Sequence, residues 1–196
     1  EEFIKEVTEG LVAPPAYFFS DARINKQGYE AIDAVMLKNL RSLSVDALEL
    51  EIQSGSMVLD TRDPEVFETG FIPGSINIGL NGMFAVWVGT VVDIQKPLVL
   101  VCDAGKEEEA VLRLARVGYE NVRGYVDGGI GAWKNAGKQL DKIQSVTPST
   151  FAEKVKNGAV VLDVRKFTET EAGHVKGASI LPLADFGETV KVPGLC

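Results

Sequence analysis

Histidine and cysteine are scarce in this chain, with one His and two Cys among 196 residues. A single imidazole excludes a histidine-rich metal site within the sequence, and neither a metal nor another cofactor is expected. Cys102 and Cys196 stand far apart, the second at the last position, so no disulfide framework is expected. Positive charge is also short: 20 Lys and Arg face 28 Asp and Glu, for a net charge of −8. No basic cluster interrupts that excess. Polyanions are repelled at long range, which argues against nucleic acid and anionic membrane surfaces as partners. No apolar run reaches the roughly 18 residues of a membrane span, and EEFIKEVTEG at the N-terminus is acidic where a secretory signal begins basic. A cytoplasmic location is the expectation. Core material is plentiful, since hydrophobic residues make up 45% of the chain. That suffices over this length for one sizeable domain and further pieces.

The chain repeats itself. Residues 44–80 align with 147–183 without gaps at a constant offset of 103. Leu59-Asp60 recurs as Leu162-Asp163, and Arg62, Glu68, Gly70, Gly74 and Leu80 fall on Arg165, Glu171, Gly173, Gly177 and Leu183. Each copy opens on an N-cap residue, Ser44 or Thr147, followed by an amphipathic stretch ending near Gly55 or Gly158. A strand, MVLDT or VVLDV, is expected next. A short helix around 64–68, a turn at Ile72-Pro73-Gly74 and a strand near 76–78 follow.

The first copy continues where the second does not. A helix is expected over 83–91, a buried strand at KPLVLVC, a helix at EEEAVLRLARVGY closed by Gly118, a strand at VRGY and a helix at GGIGAWKNAG. Strands alternating with helices imply an α/β fold with a mostly parallel sheet covered on both faces. Residues after Phe186, GETVKVPGLC, carry neither pattern, so the second copy is expected to be partial. Residues 1–43 lie outside the repeat: Phe3, Ile4 and Val7 share a helical face, Pro14-Pro15 breaks it, and 28–40 has the pattern of another helix.

The chemistry concentrates in VCDAGKEEEAVLRL. Cys102 ends a strand and precedes a glycine-containing loop and a helix, where loop amides and the helix N-terminus stabilise a thiolate. The three glutamates that open the helix have the wrong sign for an anionic substrate. They also have an ordinary role, because acids in a first turn stabilise a helix by roughly 0.3–1 kcal/mol each. A Cys-x5-Arg phosphatase loop is excluded, since position 108 is glutamate.

The order LDTRDPEVFETGFIPGSINI, LVLVCDAG, VGYENVRGYVDGGIGAWKNAG resembles the rhodanese-like domain family over residues 43–140, and residues 147–196 resemble an incomplete second copy. The resemblance implies the rhodanese-like fold, and a cysteine that takes sulfane sulfur from thiosulfate or a persulfide and passes it to an acceptor. It places the nucleophile at Cys102 and the active loop at Asp103, Ala104, Gly105, Lys106, Glu107 and Glu108. The usual loop reads Cys-x-x-Gly-x-Arg-Ser, so Glu107 and Glu108 occupy the Arg and Ser positions, and the stretch to Gly118 is one residue short. Asp60 with Arg62, and Asp163 with Arg165, are expected to fix strand-to-helix turns; Trp87 and Trp133 to anchor the core or an interdomain contact; His174 to be structural.

Residues 1–42, EEFIKEVTEGLVAPPAYF…INKQGY, resemble a connector or the tail of an upstream metallo-β-lactamase-fold domain of the persulfide dioxygenase type. Two functional expectations follow. One is a degenerate rhodanese-like module acting as a scaffold or partner-binding domain beside that hydrolase. The other is a working sulfurtransferase with a Cys102 persulfide, whose partners would be a small sulfur-containing substrate or a sulfur-carrying protein.

Overall fold

The computed structural model describes residues 32–186; the expectations for residues 1–31 and 187–196 lie outside them. Helix α1 (Ile32–Asn39) leads into strand β1 (Ser42–Leu43) and helix α2 (Val45–Gln53). The Ser44 hydroxyl caps α2 by accepting from the Ala47 amide at 3.2 Å. Strand β2 (Met57–Asp60), helix α3 (Pro64–Phe67), strand β3 (Ile76–Asn77), helix α4 (Phe84–Val91) and strand β4 (Leu98–Val101) follow. Helix α5 (Glu107–Ala115), strand β5 (Val122–Val126) and helix α6 (Gly129–Asn135) complete the first unit.

Its strands form one parallel sheet in the order β1-β5-β4-β2-β3. Period-two alternation explains why β4 reads LVLV. Leu98 and Leu100 face α4 and α5, packing with Phe84, Val88 and Leu114, while Val99 and Val101 face α2 and α6, packing with Leu48 and Trp133. Both faces are covered, so all four β4 residues are buried.

Strand β5 breaks this rule. Val122 belongs to the α4/α5 side and Val126 to the other, although residues four apart in a regular strand share a face. The register supplies the reason: Leu98 pairs with Val122 but Val99 pairs with Gly124, so Arg123 is an extra, bulged residue that inverts the strand. Gly124 sits at φ +144°, and a Cβ there would lie 2.4 Å from the Arg41 carbonyl oxygen, so only glycine fits.

Beyond residue 140, helix α7 (Pro148–Lys156), strand β6 (Leu162–Asp163), helix α8 (Phe167–Glu171), strand β7 (Ser179–Ile180) and a 3-10 turn (Leu183–Asp185) form a smaller unit. Its two strands pair in parallel with Leu162 opposite Ser179 and Asp163 opposite Ile180. Leu59 and Asp60 pair with Ile76 and Asn77 in the same way, at the offset of 103 seen in the sequence. The side-chain geometry also repeats: Arg62 donates to Asp60 and to the Gly70 carbonyl at 3.0 Å, and Arg165 to Asp163 and the Gly173 carbonyl at 2.9 Å.

Burial differs between the units. Leu48 is fully buried on α2, whereas its counterpart Phe151 on α7 is exposed. The physical reason is that β4 covers one edge of β2, while among the described residues β6 has a strand partner on one side only. No helix among the described residues is long and apolar enough to cross a membrane.

Candidate active loop

Cys102 follows the last residue of β4 and precedes an exposed loop, 103–106, that turns into α5. The strand delivers the thiol to the C-terminal edge of the parallel sheet, where α/β folds place their ligands. The thiol itself is only 5% exposed. Close backbone packing contributes: a Cβ at Gly129, which has φ +56°, would lie 2.9 Å from the Cys102 carbonyl oxygen, so α6 comes in against the cysteine backbone through a glycine.

Burial pushes the Cys102 thiol up to about 12. A hydrogen bond from the Thr61 hydroxyl acts against that, but the charged neighbours acting on the sulfur, Glu107, Asp60 and Asp103, are all carboxylates and raise it further. Lys106 does not offset them, because its ammonium is paired with Glu109 at 2.9 Å and exposed to water. Arg113 is turned away onto the Leu80 carbonyl and the Phe84 ring. Of the loop residues expected from the sequence, Asp103, Ala104, Gly105 and Lys106 form the exposed turn after Cys102, Glu107 and Asp103 act on its sulfur, and Glu108 borders a separate pocket with Asp33, Met36, Leu37 and Leu40 of α1 and its end. The α5 N-terminus has no side-chain cap, and its Glu107, Glu108 and Glu109 meet the positive end of the helix dipole.

Under the loop, Asp60 and Arg62 form an ion pair at 2.6 Å that is 0% and 3% exposed. Arg62 also holds the Gly70 carbonyl, and the Asn77 amide holds the carbonyls of Asp60 and Arg62, both at 3.0 Å. These bonds fix the turn from β2 into α3. His174 bonds the Thr170 carbonyl through Nδ1 at 3.0 Å. Trp133 is buried, with its indole N–H on the Gln139 carbonyl at 2.8 Å. Among the described residues no three His, Cys, Asp or Glu are grouped to hold a metal ion.

A cavity of about 920 Å³ opens between α4 and the β3 edge, bordered by Ile76, Phe84, Trp87, Ile94, Leu183 and Phe186. Trp87 is 40% exposed there, so it lines a groove shared with the 3-10 turn of the smaller unit. The signal available in the sequence was FAVWVGTV, a helix apolar on all sides beside a short edge strand. The cavity does not include Cys102.

The model of the Rhodanese-like domain family matches residues 44–136. Thiosulfate sulfurtransferase GlpE of Pseudomonas syringae pv. syringae is 35% identical over 83 residues, covering 42% of this chain and 76% of that protein. The protein of the same name from Shewanella oneidensis is 32% identical over 102 residues, 51% of this chain and 98% of that protein. Among solved structures, the Alr3790 protein from Anabaena sp. superposes with a TM-score of 0.47 at 21% identity, over 60% of this chain and 94% of that one.

Proposed function

The chain belongs to the rhodanese-like domain family, and within it we propose a catalytically degenerate module of sulfur metabolism that serves as a scaffold or partner-binding domain beside a metallo-β-lactamase-fold hydrolase. One observation carries this reading: the only described cysteine is buried at the tip of β4, and the charges acting on it are the carboxylates of Glu107, Asp60 and Asp103. With its titration pushed up to about 12, the thiolate fraction at pH 7 is on the order of one in 100,000. The thiolate is the nucleophile in sulfur transfer, and thiosulfate is a dianion that the Glu107 and Asp103 carboxylates repel. The half-exposed Trp87 and exposed Met83 at the groove supply the apolar surface that a partner-binding role needs.

A second reading, an active thiosulfate or persulfide sulfurtransferase using a Cys102 persulfide, is favoured by the likeness to the two thiosulfate sulfurtransferases. Incubation with thiosulfate or glutathione persulfide, followed by mass spectrometry and a thiocyanate assay with cyanide, separates the two. The expected outcome is no gain of one sulfur atom on Cys102 and no thiocyanate above background. A stoichiometric persulfide, with turnover abolished by Cys102→Ser, establishes the second reading instead.

The proposed organisation assigns 1–42 to a connector or the tail of an upstream metallo-β-lactamase-fold domain, 43–140 to the rhodanese-like domain and 147–196 to an incomplete second copy. The shared register and Arg–Asp geometry of the two units support the last assignment. For the first, the native reading frame upstream of Glu1 is expected to encode a His-x-His-x-Asp-His metal cluster. A start codon immediately before Glu1 would remove that partner from the proposal.

A further inference from the structure

Strand β3 ends the five-stranded sheet, and among the described residues no strand lies beyond it. Its inner edge is taken, since the Ile78 amide donates to the Asp60 carbonyl at 3.0 Å. Backbone groups alternate between the two edges of a strand, so the amide and carbonyl of Asn77 point away from β2. The cavity beside α4 meets that outer edge. Successive residues of a strand alternate between faces, and a cavity on one face would border every second residue; this one borders Ile76, Asn77, Ile78 and Gly79 in succession. Its other wall is α4, with Phe84, Trp87 and Val91 at helical spacing.

The groove carries charge of one sign. Among the described residues Asp63 and Asp93 are the charged members of its wall. Both are exposed, and each accepts one backbone amide at 2.9 Å, from Glu65 and Gln95, through a single carboxylate oxygen. They stand at opposite ends. Asp63 follows β2 at the C-terminal edge of the sheet, whereas Asp93 follows α4, which has brought the chain back to the edge where β4 begins. The four residues of β2 span about 13 Å between those edges.

We propose that this groove takes a partner protein by strand addition. The occupant is an extended segment of about five to six residues that pairs with the outer edge of β3, inserts alternate apolar side chains between Ile76 and Trp87, and carries a lysine or arginine at each end against Asp63 and Asp93. The inference rests on the partner-binding reading above and names the partner's chemistry. A helix in the groove would leave the Asn77 backbone unpaired, and a second copy would bring a net charge of −8 to an acidic rim.

The test titrates the full chain with a fluorescein-labelled peptide that alternates valine with threonine between terminal lysines, followed by anisotropy. Saturable binding is expected. N-methylation of the backbone amides on one edge of the peptide should abolish it, and on the other edge leave it unchanged, because only one edge faces β3. Glutamates in place of the two lysines should weaken binding about tenfold or more. Asp63→Asn, which keeps a capping oxygen, and Asp93→Asn should each weaken it about two- to fivefold. No saturation up to about 1 mM overturns the proposal, as does binding indifferent to N-methylation on either edge. Binding that appears only in a chain with Val190→Asp and Val192→Asp assigns the groove to residues 187–196, and a dimer that the peptide splits assigns it to a second copy; either overturns it. The peptide variants need no change in the protein, so a substitution that fails to fold leaves the test intact. Cys102 lies outside the groove and no sulfur donor is used, so failure here is separate from failure of the degenerate reading.

Discussion

Replacing Arg62 by alanine is expected to destabilise the protein by about 3–5 kcal/mol, a large share of the roughly 5–15 kcal/mol that separates folded from unfolded domains. The substitution leaves the Asp60 carboxylate 0% exposed and without its ion-pair partner, and the Gly70 carbonyl without the Arg62 donor. A buried charge stripped of its partner costs more than the pair ever contributed, because its desolvation is no longer offset. Removing Asp60 as well should therefore be milder than removing Arg62 alone, a coupling that a double-mutant cycle measures. Arg165 provides an internal control. It makes the same bonds to Asp163 and Gly173, but with its side chain 46% exposed, so Arg165→Ala should leave the urea midpoint unchanged. Equal midpoint shifts for Arg62→Ala and Arg165→Ala would show that burial is not the deciding factor.

Alkaline pH is expected to remove up to about 4 kcal/mol of stability through Cys102 alone, from the gap between its ordinary value and the folded-state value. The ordinary value is 9.0, and the folded-state value is pushed up to about 12 by burial. Below pH 9 the thiol is protonated in the folded and unfolded chains alike, and the contribution is fully present. Above pH 9 the unfolded chain gains by ionising while folded Cys102 stays protonated, so stability falls with each step until about pH 12. Other groups titrate in this range, and the comparison that isolates Cys102 is with Cys102→Ala. Urea unfolding from pH 8 to 11 should show the unsubstituted protein losing stability more steeply than the variant. Parallel curves would mean that the thiol ionises as readily folded as unfolded, and the case for a degenerate loop would lose its main support.

Much of the fold is legible in local pattern. LVLV, MVLD and the caps at Ser44 and Thr147 identify strands and helix starts because alternation and capping act over a few residues. The repeat is equally local, and the Arg62 and Arg165 turns come out alike because each arginine bonds groups within eight positions of itself. The cysteine at a strand tip, the acidic loop and the missing arginine position are also visible in the string itself.

The rest depends on contacts between distant segments. Nothing in VRGYV announces that Arg123 is bulged and that Val122 and Val126 face opposite sides; that follows from the pairing of β5 with β4 and from the Arg41 carbonyl against Gly124. Strand β1, only Ser42–Leu43, is too short to show a period and exists because β5 offers it an edge. Identical turns became a buried ion pair in one unit and an exposed one in the other because β4 covers β2. The state of Cys102 belongs to this class as well. A sequence places a thiol at the end of a strand, but how far it is withdrawn from water is set by its packing in the cluster of Leu59, Leu100 and Ala110 and by the close approach of Gly129, which only the folded chain brings together.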